Sequence, residues 1–113
     1  MRTIYIENSE DFSLIYQGFI IGGNSQKTKT MQSTRREAKI LDKLDSISVI
    51  VSPENRYPTG DVIRELVSNK AKLTLTTEEH ELLTIYFEAV PWATRVSREA
   101  VRLADLINNA EEE

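Results

Sequence analysis

Residues 76–109 limit the fold more than any other stretch, because two amphipathic helical periods flank a single proline, Pro91. Thr76, followed three residues later by Glu79, has the form of a capping box: the hydroxyl accepts from an orphan helix N–H and the carboxylate reaches back. Glu78, Glu79 and Glu81 place negative charge at the positive end of the helix dipole. Leu82, Leu83, Tyr86, Phe87 and Val90 fall within an arc of roughly 140°, one apolar face. Pro91 donates no backbone bond and disfavours helical geometry at Val90, so the helix is expected to stop or kink there.

A second helical period starts near Thr94. Val96, Ala100, Leu103, Ala104 and Ile107 share one side, with Val101 at its edge, and Arg95, Arg98, Arg102 and Asp105 share the other. Only Pro91, Trp92 and Ala93 lie between, which predicts a helical hairpin over 76–110 or one sharply bent rod. Trp92 at the corner is either a core plug or an exposed anchor.

With 113 residues the chain is expected to be one domain able to bury its own core. It contains no cysteine, so disulfide and thiolate chemistry are excluded. No apolar run or N-terminal leader stands out, and a soluble cytoplasmic protein with no membrane contact is expected.

Charge is unevenly spread. Residues 1–25 carry −2, residues 26–43 carry +4 from six basic and two acidic groups, and residues 44–113 carry −6, giving the net −4. This pattern predicts a charge-polarised surface.

Local patterns predict an α+β fold: a small N-terminal antiparallel sheet, short amphipathic helices and the C-terminal hairpin. Residues 2–32 read as mainly β. Within them, 3–6 have strand propensity, 9–18 fit helix or strand equally, 20–24 look like a strand end with a Gly22–Gly23 turn, and 27–31 alternate like an edge strand. Residues 34–75 read as mixed. Thr34 and Glu37 suggest a capping box opening a helix to about Asp45, with Ile40, Leu41 and Leu44 inward. Residues 47–51 suggest a strand, 52–60 a loop, 61–69 a short helix, and 73–75 a strand leading into the hairpin. Residues 111–113 read as a frayed acidic tail.

Catalytic and metal chemistry find little support, and neither a metal nor a cofactor is expected. The single histidine, His80, lacks the two-histidine helical spacing of a zinc site and reads as a boundary residue. Gly22-Gly23-Asn24-Ser25-Gln26-Lys27 lacks the lysine and hydroxyl spacing of a phosphate loop. No nucleophile–base arrangement stands out, and a non-enzyme is expected.

The functional-looking cluster is basic: Arg35, Arg36, Lys39 and Lys43 within an arc of about 100°, extended by Lys27 and Lys29. Arg95, Arg98 and Arg102 are explicable by helical pairs such as Arg95–Glu99 and Arg102–Asp105. The helix order superficially suggests a winged-helix DNA reader. However, the third helix would present Glu78, Glu79 and Glu81 to phosphate.

A protein-interaction module (adaptor, assembly factor or inhibitor) that binds an acidic protein surface is therefore the expected function. A nucleic-acid-binding regulator using residues 27–43 is the alternative. A homodimer is a further expectation, with Tyr86, Phe87 and Trp92 as candidate anchors. The general look of the chain is similar to that of small phage-encoded accessory proteins.

Overall fold

A computed structural model describes residues 1–50 and 64–112, and its fold is α+β. Strand β1 (Arg2–Ile6) is central in a three-stranded antiparallel sheet of order β4-β1-β5. Its partners are β4 (Ala71–Leu75), with Ile4 opposite Leu73, and β5 (Glu111–Glu112), with Thr3 opposite Glu111. Strand alternation puts Ile4, Ile6, Leu73 and Leu75 in the core. Four helices complete the core: α1 (Ser9–Asn24), α2 (Met31–Ser46), α3 (Thr77–Glu88) and α4 (Ser97–Asn108). They supply Phe12, Ile15, Ile40, Leu44, Leu83, Phe87, Leu103 and Ile107, among others. A separate hairpin pairs β2 (Ser48–Ile50) with β3 (Arg64–Leu66). Among the described residues, no helix is long and apolar enough to cross a membrane.

Residues 2–32 are not mainly β. After Ile6 the chain enters α1, capped by the Asn8 side chain, which accepts from the Asp11 N–H at 2.8 Å. Phe12, Ile15 and Phe19 recur at helical spacing and are buried, which decides residues 9–18 in favour of helix. Gly22 and Gly23 make no turn. They lie inside α1, where a Cβ on Gly22 would stand 1.8 Å from the Tyr86 carbonyl oxygen. The missing side chain lets α1 and α3 approach backbone to backbone.

The strand expected at 27–31 is absent, because Thr30 opens α2. Its hydroxyl accepts from the Ser33 N–H at 3.1 Å, and the Ser33 hydroxyl accepts from the Thr30 N–H at 3.2 Å. The capping box therefore falls one turn before Thr34–Glu37, which leaves Glu37 free for longer-range contacts.

Residues 51–63 and 113 lie outside the described residues, and with them the last position of the strand expected at 47–51, the expected loop, the start of the expected helix and the last position of the expected tail. The remainder of that helix is overturned: Arg64–Leu66 is β3, paired with β2 and tied to α1 by the Leu66 N–H donating to the Ser9 hydroxyl at 3.2 Å. Glu111 and Glu112 are not frayed either, since they pair with β1. Ala110 before them is buried, and its carbonyl accepts from Arg2 Nη1 at 3.2 Å.

The Thr76–Glu79 capping box is present, with both reciprocal bonds, and α3 ends at Glu88. Pro91 follows the break, and the chain resumes through a 3-10 turn at Thr94–Val96 before α4. Trp92 is the corner plug. It is half-buried, packs 4.8 Å from the Phe87 ring, and donates its indole N–H to the Phe87 carbonyl at 3.1 Å.

Candidate partner-binding face

The six cations singled out by sequence fall into two groups. Lys29 lies 3.0 Å from Glu37 and 6.0 Å from the centre of the Tyr86 ring. Glu37 also accepts the Tyr86 hydroxyl bond. Burial, reinforced by the neighbouring Glu37 carboxylate, holds that hydroxyl well above the ordinary tyrosine range. Lys43 binds the buried Glu79 at 2.5 Å. These two lysines join α2 and its leading loop to α3, which gives them structural work.

Lys27, Arg35 and Lys39 are exposed and Arg36 is partly exposed. None of their side chains forms an ion pair or hydrogen bond with another described residue. Arg35, Arg36 and Lys39 share the solvent side of α2 because Ile40 and Leu44 turn its other side into the core.

The proposed dimer anchors lie elsewhere. Tyr86 is 3% exposed and Phe87 1%, so both rings are consumed by the chain's own core, and only half-buried Trp92 keeps an outward edge. That edge walls a shallow groove of about 190 Å³ between α3 and α4, with Ala100, Val101 and Ala104 opposite. The exposed apolar residue on α3 is instead Ile85, 56% exposed. It lies off the Leu82-Leu83-Tyr86-Phe87 arc in the sequence, which was the available signal.

His80 has a structural role. Its Nε2 lies 2.6 Å from the Ile107 carbonyl, an acceptor, so that nitrogen donates to one of the last carbonyls of α4. No cluster of three or more potential metal-ligating side chains occurs among the described residues.

Neither expected local arginine pair forms. Arg102 reaches across the fold to Asp11, with Nη2 to Oδ1 at 2.6 Å and Nη1 to Oδ2 at 3.1 Å. Asp11 is buried in the first turn of α1, where a forked guanidinium satisfies both its oxygens. Arg102→Ala is expected to cost about 1.5 kcal/mol by stranding that carboxylate. Arg95→Ala and Arg98→Ala, at exposed positions, should stay within about 0.5 kcal/mol. Urea midpoints of the three variants check this, and equal losses would remove the special role of the Asp11 pair.

Compared with family models, curated proteins and solved structures, the chain matches none.

Proposed function

We propose that the chain is a non-enzymatic protein-interaction module whose outer α2 surface docks an acidic partner through Lys27, Arg35, Arg36 and Lys39. The observation that carries this reading is the contrast within one basic segment. Two of its lysines are neutralised inside the molecule, while four cations stay at the surface without a carboxylate from the described residues. Solubility does not require such a cluster in a chain of net charge −4. Exposed, unpaired cations accelerate encounter with an opposite surface and select against like-charged ones.

A protein surface is preferred over nucleic acid because Glu78 and Glu81 are exposed on α3, the helix packed against α2. A stiff duplex lying on α2 would meet them, whereas a flexible acidic chain or a folded acidic surface of limited extent would not.

Changing all four cations to glutamine should leave the unfolding midpoint near wild type, because none is buried. Binding to polyglutamate should weaken on the order of tenfold at low salt, and the wild-type interaction should fade as salt rises. Duplex DNA serves as the comparison ligand. Undiminished polyglutamate binding by the quadruple variant would eliminate the assignment, and a selective loss of DNA binding would move it to phosphate contact.

A further inference from the structure

We infer that the acidic surface fitting these cations is carried by the chain itself, and that a second copy docks along the seam of α2 and α3. This rests on the reading of α2 as a contact face and specifies its partner.

The placement follows from two contacts. Glu37 meets Tyr86 and Lys43 meets Glu79, so α2 and α3 run antiparallel, with Arg36 near the level of Ile85 and Ala89. At about 100° per residue, α3 turns away from α1 on its α2 side in the order Tyr86, Leu82, Ala89, Glu78, Ile85, with Glu78 about two turns before Ile85 along the axis. Further round come Glu81 and Glu88, on the flank toward α4, where Glu88 accepts from Asn108 at 3.3 Å. On α2, Arg36 and Lys43 lie about 20° apart at the edge touching α3, and the same rotation leads outward to Lys39, Arg35 and then Asp42. The outer surface is thus a short apolar patch of exposed Ile85 and Ala89, with cations along one side and Glu81 and Glu88 along the other, while Glu78 sits apart at the start of α3.

That order is self-complementary. A two-fold axis parallel to α3 brings Ile85 against its own counterpart and exchanges the two flanks. Each copy's Arg36 and Lys39 then lie over the other's Glu81 and Glu88. An axis across α3 would instead oppose like charges. The groove beside Trp92 plays no part.

Sedimentation equilibrium of the full chain tests this. Wild type should exceed the monomer mass of 12.9 kDa increasingly as concentration rises. Ile85→Asp should hold the mass at the monomer value while keeping the wild-type unfolding midpoint, since the side chain supports no core. Two charge variants make the test specific: Arg36→Glu with Lys39→Glu, and Glu81→Lys with Glu88→Lys. Each should be monomeric alone, because both its flanks carry one sign, and an equimolar mixture should associate again. Persistent association of Ile85→Asp, or no recovery on mixing, would overturn the assigned face. A wild type that stays monomeric but binds polyglutamate through α2 would overturn the pairing and leave the broader reading standing. Loss of both would overturn the two together.

Discussion

Gly22→Ala is expected to destabilise the chain by about 3 kcal/mol, near the upper end of overpacking costs. The added Cβ would lie 1.8 Å from the Tyr86 carbonyl oxygen and 2.5 Å from its carbonyl carbon, both backbone atoms of α3. No side-chain rotation relieves that overlap, so two helices must separate along the line where they pack. Alanine's better helix propensity, worth about 1 kcal/mol over glycine, offsets only part of the loss. Gly23→Ala provides the control. Its Cβ would meet the edge of the Tyr86 ring at 3.1 Å, a contact a small ring shift can accommodate, and the propensity gain remains. Its midpoint should stay within about 1 kcal/mol of wild type. Urea unfolding of both variants decides it, and a Gly22→Ala midpoint at the wild-type value would refute the close approach of α1 and α3.

Glu79→Ala should cost about 2–3 kcal/mol at neutral pH, from the capping bond and the ion pair together. The carboxylate accepts from the Thr76 N–H at 2.9 Å and from Lys43, so its removal opens the start of α3 and leaves the lysine beside a void. The loss should depend on pH. Burial alone would raise the acid's pKa, but the Lys43 ammonium and the Thr76 donors outweigh it and hold the group below its ordinary 4.5. A depressed folded pKa means that the stabilisation is complete above the unfolded value and disappears as pH falls through the folded one. The gap between wild type and variant should therefore be widest at neutral pH and narrow below 4.5. Midpoints compared at neutral and acid pH provide the check, and a constant gap would rule out an ionised Glu79 as the source.

Local chemistry was legible where the structure uses it locally. The Thr76–Glu79 box, the strand at residues 3–6 and the break ahead of Pro91 each depend on neighbours in the chain. Gly22 and Gly23 misled because glycine most often marks a turn, whereas here its value lies in letting Tyr86 come close. Spacing held a hint: Gly18 and Gly22 are one helical turn apart, and a Cβ on either would strike α3 or the Trp92 corner. Thr30–Ser33 and Thr34–Glu37 both have the form of a helix start. The choice between them is bound up with Glu37 serving Lys29 and Tyr86, a contact between distant segments. The basic segment was visible from composition, but not its division. Lys43 looks the same in sequence whether it is free or paired with a carboxylate 36 residues away. The apolar spacing that suggested a helix over 61–69 runs through Arg64–Leu66, where strand pairing with β2 overrode it.

The position of β1 at the centre of its sheet has a consequence for the order of events during synthesis. Both neighbours are remote along the chain, at Ala71–Leu75 and Glu111–Glu112, so no local hairpin can protect the first strand. Closing such long loops costs entropy before any contact repays it, and topologies of this kind fold slowly. Ile4 and Ile6 emerge well before Leu73 and Leu75 and must wait for them, while α1 can already form beside them. Until then the strand is an apolar edge open to other chains, which makes the interval between synthesis of β1 and of β4 the one where a nascent chain most needs shielding.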